Sequence, residues 1–581
     1  MRSLFGNLHS PSSFSPLSGQ VPGRPRQGWL WWLLCLVAGW LQAASLAWPL
    51  TSWSPPGLQP GEPSGWLQIA SLTMLAWALR HVQRARQGAW LAWSFALAWL
   101  AGTFWWLFVS MHVYGGLAAP LAVLAVLALA GFLALYYALA AALMFAVAPR
   151  SRLGQMVLFS ALWTLAELMR GRWLTGFPWG AGGYAQVDLM APLAPWVGVY
   201  GMGAMAAGVA YGLAALPAML RDLLPGKPPL PGMKAPPTGC AWLALGGWLV
   251  LMAAAVLATR MPNVAEMQTR AAGSLRVWLL QGNVPQDEKF VPGKGVELAL
   301  GWYPAQLASA LRAGAQAPDL VVAPETALPL LPDQLGADFW EPVLDAIDGG
   351  GLGRTAVLFG LPLGSYEAGY TNSAWGIHPE DVRGRDGRFP ARRFYRYDKH
   401  HLVPFGEFIP PFLRWFTDMM QIPLGDFSRG TLAQPPWALK GQRIAANICY
   451  EDLFGEELAA SFADAALAPT MLVNLSNIGW FGDTVAIDQH LHISRLRALE
   501  LGRPMLRATN TGATAVIDHR GQVRASFARM QRGYLVAEAE GREGQTPYAR
   551  WASRAGLWPA WGLCLVVLSM AFVARRMRAR P

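Results

Sequence analysis

Eight apolar runs, each near the length of a bilayer crossing, fill the two ends of this chain and leave its middle free of them. They cover roughly residues 28–49, 64–80, 88–110, 117–148, 155–170, 191–220, 239–259 and 555–574. A helix needs about 20 apolar residues to cross the hydrocarbon of a bilayer. Inside that layer the backbone must satisfy its own hydrogen bonds, which a helix does alone. The second and fifth runs are the shortest, and the fourth and sixth are long enough to tilt. At 54% hydrophobic and 14% charged, the chain is too apolar for an ordinary soluble protein. Many of its 29 Trp fall near run ends, where interfacial anchors belong. The expectation is a polytopic α-helical membrane domain of eight TM helices, seven and then one, with a polar domain between the seventh and eighth.

Charge sets the orientation. Arg2, Arg24 and Arg26 precede the first run, and Arg80, Arg84 and Arg86 separate the second from the third. Arg150 and Arg152 precede the fifth, and Arg221, Lys227 and Lys234 separate the sixth from the seventh. Arg575, Arg576, Arg578 and Arg580 follow the eighth. These alternate segments hold fifteen basic residues, and the remaining short loops hold two, Arg170 and Arg172. The excess of Lys and Arg on cytoplasmic loops then puts both termini in the cytoplasm and the 261–553 stretch outside it. The same pattern accounts for much of the +11 net charge, so the basic balance does not argue for nucleic acid as a partner. The expected layout is a disordered cytoplasmic tail over 1–27, a membrane domain over 28–259, an extracytoplasmic domain over 260–553, and a last helix with a basic tail over 554–581. A cleaved signal peptide is not expected, because the Ser/Pro/Gly-rich tail is long for the charged start of one and the first run is long for its apolar core.

The outer stretch alternates short β-rich runs with helical ones. Leu275–Leu280, Leu320–Ala323, Thr355–Gly360, Arg443–Ile448, Met471–Leu475 and Thr514–Ile517 read as buried strands, and about 294–313 as a helix. That alternation argues for a layered α/β domain. Reactive side chains stand at three predicted strand ends or nearby: Glu325, Lys399 and Cys449. Of the four cysteines, Cys35, Cys240 and Cys564 lie in apolar runs, which leaves Cys449 alone in the polar domain. It is either an inert thiol or a nucleophile. Beside it, a carboxylate can take the thiol proton and later activate a second nucleophile. An ammonium can lower the thiol pKa and stabilise an oxyanion.

Carboxylate, lysine and cysteine in this chain order resemble the carbon–nitrogen hydrolase (nitrilase) superfamily. More closely, the chain resembles the bacterial apolipoprotein N-acyltransferase family. The matching stretches are Val284-Pro285-Gln286, Pro324-Glu325-Thr326-Ala327, His401-Leu402-Val403-Pro404-Phe405-Gly406-Glu407-Phe408, Ile448-Cys449-Tyr450-Glu451, Asn477-Ile478-Gly479-Trp480-Phe481-Gly482 and Arg497-Ala498-Leu499-Glu500. Leu174-Thr175-Gly176-Phe177-Pro178-Trp179 matches in the membrane part. The resemblance implies an extracytoplasmic, nitrilase-like αββα sandwich in the bacterial inner membrane, facing the periplasm. It implies that Cys449 takes an acyl group from a membrane glycerophospholipid as a thioester. The acyl group then passes to the α-amine of a diacylglyceryl-cysteine apolipoprotein. Glu325 would be the general base, and Lys399 would polarise the oxyanion, joined by the backbone N–H of Tyr450. Glu407 and Glu451 would orient Lys399 and the thiol. Phe290 stands where relatives often have Trp.

The apolar stretch 411–422, with Trp415 and Phe416, reads either as core packing or as a lid dipping into the lipid interface. Trp480 and Phe481 could form a second wall. His400, His401, His490 and His492 are not spaced as a zinc site would be, and no metal or cofactor is expected. Arg495, Arg497, Glu500 and Arg503 on one helix, and Glu167 with Arg170, read as ion pairs. Two other functions stay open on the residues: a membrane-tethered amidase or hydrolase using water, and a catalytically silent receptor or scaffold.

Overall fold

In the computed structural model, the residues described are 28–223, 238–258, 264–349, 353–365, 367, 369–383, 394–409 and 427–579. Trp415, Phe416 and the tail 1–27 lie outside them.

Each apolar run forms a helix. These are α1 (Gly28–Ala44), α2 (Gly65–Arg80), α3 (Ala85–Phe104), α4 (Ala119–Val147), α5 (Arg152–Arg172), α6 (Ala194–Leu223) and α7 (Thr238–Ala258), with α12 (Trp558–Ala579) at the far end. Local chemistry sets several starts. The Ser64 and Ser151 hydroxyls accept from Leu67 N and Gly154 N to cap α2 and α5, and a proline sits in the first turn of α4. Among the described residues, three stretches are long and apolar enough by themselves to cross a membrane: Ala119–Val147, Ala191–Leu223 and Trp558–Arg578. Large apolar side chains such as Leu124, Leu135, Val250, Leu563 and Met570 point outward from the helices, as lipid-facing residues do.

Glu167 and Arg170 are buried in this bundle but do not pair as expected. Arg170 Nη1 donates to the carbonyls of Phe177 (2.6 Å) and Trp179 (2.8 Å), and its Nε to Tyr137 Oη (3.1 Å). Glu167 Oε1 accepts from Gly182 N at 2.8 Å. Backbone groups of the loop after α5 lack helical partners, and in an apolar setting charged side chains satisfy them.

The polar domain holds two six-stranded sheets face to face. Its strands are β1 (Thr269–Gln281), β2 (Leu320–Val322), β3 (Ala356–Ser365), β4 (Gly369–Ile377), β5 (Tyr395–Asp398), β6 (Trp437–Leu439), β7 (Gln442–Ile448), β8 (Met471–Ser476), β9 (Met505–Thr509), β10 (Ala515–Ile517), β11 (Val523–Ser526) and β12 (Gly533–Gly544). One sheet runs β12-β1-β2-β3-β4-β5 and the other β11-β10-β9-β8-β7-β6. The parallel centres, β1-β2-β3 and β7-β8-β9, carry antiparallel edges. Alternation along β1 divides the layers. Leu275, Val277 and Leu279 enter the core between the sheets with Val322, Ile444 and Val473. Trp278 and Leu280 face outward onto α8 (Gly295–Leu311) and α9 (Ala337–Asp348). On the far side, Leu472, Met505 and Ile517 pack under α10 (Ala486–Leu501) and α11 (Pro547–Ala555). This is the expected αββα sandwich.

The sandwich and the apolar helices share one core. Tyr450, Leu453, Phe454, Ile478, Ile493 and Leu496 pack in the same buried cluster as Phe104, Trp106, Trp179 and Tyr184. Polar contacts fix the register. Glu500 Oε1 accepts from Val199 N (2.7 Å) at a break in α6 where Gly198 has φ +62°. The indole nitrogens of Trp106 and Trp179 both donate to Gln489 Oε1, at 3.1 and 2.8 Å. Of the ion pairs expected along α10, Arg497 and Glu500 do pair at 2.9 Å, fully buried. Arg495 instead reaches Asp188, and Arg503 donates to backbone carbonyls including those of Gly502 and Gly544.

Candidate active site

Glu325, Lys399 and Cys449 converge because each follows a strand of the sandwich. Glu325 lies just past β2, Lys399 directly after β5 and Cys449 directly after β7. Side chains that emerge at strand ends sit where a sheet meets the surface, the usual place for a site in a layered α/β fold. Cys449 has φ +52° and Thr326, beside Glu325, φ +49°. A non-glycine residue in this left-handed region is uncommon, and such strain gathers at functional sites. Gly360 on β3 makes room for the Glu325 turn: a Cβ there would lie 2.3 Å from Pro324 O and 2.7 Å from Glu325 Cα.

Two carboxylates clasp the lysine. Lys399, 1% exposed, donates from Nζ to Glu325 Oε1 (3.3 Å) and Glu407 Oε1 (2.9 Å). Asn372 Nδ2 bridges the same two oxygens, at 2.7 and 2.6 Å. Glu325 Oε2 accepts from Asn477 N (2.8 Å), and Glu407 Oε2 from Val403 N (2.8 Å). Burial opposes ionisation of Glu325, but Lys399 and these donors outweigh it and hold its pKa below the ordinary value. Burial likewise opposes the Lys399 charge, and Glu325 and Glu407 overcome it, so the ammonium is kept.

Lys399 pulls the thiol pKa down, as expected, but does not decide it. Burial and the negative charge of Glu325 push the Cys449 pKa up to about 12, with Lys399 only partly offsetting them. At neutral pH the resting pair is thus a carboxylate beside a protonated, partly exposed thiol. Lys399 does favour the thiolate, but its charge is largely engaged by two carboxylates. The arrangement suits proton transfer from sulfur to Glu325 at the moment of attack.

Glu451 works on the backbone. Its Oε1 accepts from His400 N (2.7 Å) and His401 N (3.1 Å), and its Oε2 from Ile448 N (2.7 Å) and Tyr397 Oη (2.9 Å). It therefore ties the chain after Lys399 to the chain before Cys449. Tyr450 turns its side chain to the helices: Oη donates to Gly176 O (3.1 Å), and its ring stacks on Phe177. Beneath the nucleophile, His490 Nε2 lies 3.3 Å from Cys449 O and 3.0 Å from Asp452, which Arg507 also binds. Asn474 Nδ2 donates to the same carbonyl at 3.2 Å. His492, His400 and His401 are engaged separately by Gly61 O, Gly430 O and Glu457.

The aromatic candidates divide. Phe290 is 47% exposed. Trp480 meets Tyr114 edge to face, and Phe481 packs on Trp106 with ring centroids 4.2 Å apart. Both reach the segment that extends α3, so they stand between the site and the apolar helices. Asn372 and Lys289 belong to this neighbourhood without having been picked out from the sequence. Nothing local marks Asn372, which sits within a strand. Lys289 had a signal, its place between Val284-Pro285-Gln286 and Phe290.

The sequence has near relatives. A family model described as the apolipoprotein N-acyltransferase N-terminal domain matches residues 50–212, and one described as carbon-nitrogen hydrolase matches 385–548. An apolipoprotein N-acyltransferase of Verminephrobacter eiseniae is 52% identical over 558 residues, covering 94% of this chain and 96% of its own. One of Ralstonia nicotianae is 44% identical over 519 residues, covering 88% and 90%. The hydrolase match takes in Lys399 and Cys449, while Glu325 lies ahead of it.

Proposed function

Because the chain belongs to the apolipoprotein N-acyltransferase family, we propose that it moves a fatty acyl group from a membrane glycerophospholipid to the α-amine of a diacylglyceryl-cysteine apolipoprotein through a thioester on Cys449. Glu325 takes the thiol proton as sulfur attacks the ester carbonyl. The C–S bond forms, and the oxyanion is met by Lys399 and the backbone N–H of Tyr450. The ester C–O bond then breaks, and Glu325 returns the proton to the departing lysophospholipid oxygen. In the second half Glu325 deprotonates the incoming amine, nitrogen attacks the thioester, and the thiolate leaves to recover its proton. Glu407 holds Lys399 in place, and Glu451 holds the main chain on both sides of the site.

The observation that carries this reading is the Glu325–Lys399–Glu407 cluster beside Cys449, in a domain whose core continues into apolar helices. Both substrates are lipid-anchored, and a site joined to lipid-facing helices meets them at the bilayer. Phe290, Trp480 and Phe481, with Trp415 and Phe416 outside the described residues, are assigned to the wall that admits acyl chains. The helices α1–α7 and α12 are assigned as eight crossings of the bacterial inner membrane, with both termini cytoplasmic and the 260–553 domain periplasmic. The test is Cys449→Ser in liposomes holding phospholipid and a diacylglyceryl-Cys peptide. N-acylated peptide made by the parent and absent from the variant supports the reading, and unchanged product from the variant overturns it.

A further inference from the structure

Lys289 has no part in the steps above, yet it lies inside the same site. Its side chain is 2% exposed, in the turn that follows β1. Nζ donates to the backbone oxygen of Glu325 at 3.1 Å, its one hydrogen-bond acceptor among the described residues. An ammonium carries three donors, and lysine is rarely buried without a carboxylate partner. Here the nearby carboxylates, Glu325 and Glu407, are both bound to Lys399. The groups whose charge faces Lys289 are Glu325, from the turn after β2, and Cys449, from the end of β7.

The charges that face one another give this lysine a purpose. Lys399 is shared between Glu325 and Glu407, and Lys289 is a further cation whose charge faces Glu325 and Cys449. When the S–H bond breaks and an O–H bond forms on Glu325, the negative charge moves to sulfur and still faces Lys289. Without Lys289 that negative charge loses a buried counter-ion both before and after the transfer, and a buried charge short of its partner is costly. We propose that Lys289 is the second cation of the site, a positioning residue that balances the negative charge shared by Glu325 and Cys449 while the proton passes between them. This rests on the reading of those two residues as base and nucleophile.

Burial lowers the Lys289 pKa to about 8, against the pull of Glu325 and Cys449. The balancing charge is therefore present at neutral pH and fades as pH rises through about 8. The test is the rate at which iodoacetamide alkylates Cys449, followed on its peptide by mass spectrometry in the full-length, detergent-solubilised protein. It needs neither lipid nor acceptor, so its failure is separate from failure of acyl transfer. At pH 7, Lys289→Gln should slow alkylation about tenfold or more, the effect of raising a thiol pKa by about one unit. Lys289→Arg should keep most of the rate. The gap between parent and Lys289→Gln should narrow above pH 8, where the parent also loses the charge. Equal rates at pH 7 overturn the proposal. So does a gap shared by both variants and unchanged with pH, or failure of both variants to fold, since either assigns Lys289 to structure alone.

Discussion

Glu325 accepts from Asn372, Lys399 and Asn477 at once, and it stands next to a thiol that does not ionise unaided. In the proposed mechanism, removing its charge leaves Cys449 without a base, and it leaves Lys399 with one carboxylate. Glu325→Gln should lower acyl transfer by about 10²–10⁴-fold, the range for loss of a general base, measured as initial rate of peptide acylation. The sign of its pKa shift sets the acid limit. Burial raises the value, but Lys399 and the hydrogen bonds bring it below that of an unfolded glutamate. Its contribution to stability is therefore present above about pH 4.3 and is lost as pH falls through the folded value. The acid limb of activity should likewise lie below about pH 4.3, and a limb near pH 6 would contradict this assignment of the base. At this scale the candidate trio was legible, because a carboxylate, a lysine and a cysteine stand in a recognisable chain order, and the structure brings the three together. Asn372 was not, since its part comes from where β4 lies in space, and Lys289 was passed over although it stands between Val284-Pro285-Gln286 and Phe290. Lys399 does lower the thiol pKa as its charge implies, but the burial and the Glu325 charge that outweigh it depend on placements in space.

Among elements, β3 shows how tightly the site is built. Gly360 lets the turn carrying Glu325 lie against the strand. Gly360→Ala should push that turn away and slow acyl transfer about 10²-fold, as a misplacement of about 1 Å can, while circular dichroism stays near that of the parent. Unchanged activity would mean that the turn tolerates the shift. Strand legibility followed burial only in part. The runs read correctly, in β1, β2, β3, β7, β8 and β10, are mostly apolar, with at most two polar residues each. The missed strands include β4 and β9, buried inside their sheets, and polar edges: β12 alternates buried or half-buried with exposed positions, and β5 reads Tyr-Arg-Tyr-Asp. Edge strands face solvent on one side, so their composition blends with that of loops. The helices were easier, since their apolar length is the signal itself. Glu167 and Arg170 were misread because their partners are loop carbonyls and amides that helical spacing does not reveal.

For the whole molecule, the sandwich and the helix bundle behave as one body. Tyr450, next to the nucleophile, donates to Gly176 O, and Leu453, Phe454, Ile478 and Ile493 are buried against the helices. Residues 264–555 expressed alone would expose that apolar face, and patches of this kind drive association. Size-exclusion chromatography should find the fragment aggregated or dependent on detergent, whereas a monodisperse, detergent-free monomer would show the two parts to be separable. The central claim is that Cys449 carries the acyl group between two lipid-anchored substrates. It is tested most directly by the intact mass of the purified protein after incubation with phospholipid, before and after a diacylglyceryl-Cys peptide is added. The account predicts a fatty-acyl adduct on Cys449 that persists in water and clears when the peptide arrives. No adduct on folded protein, or one that clears in water alone, would contradict it.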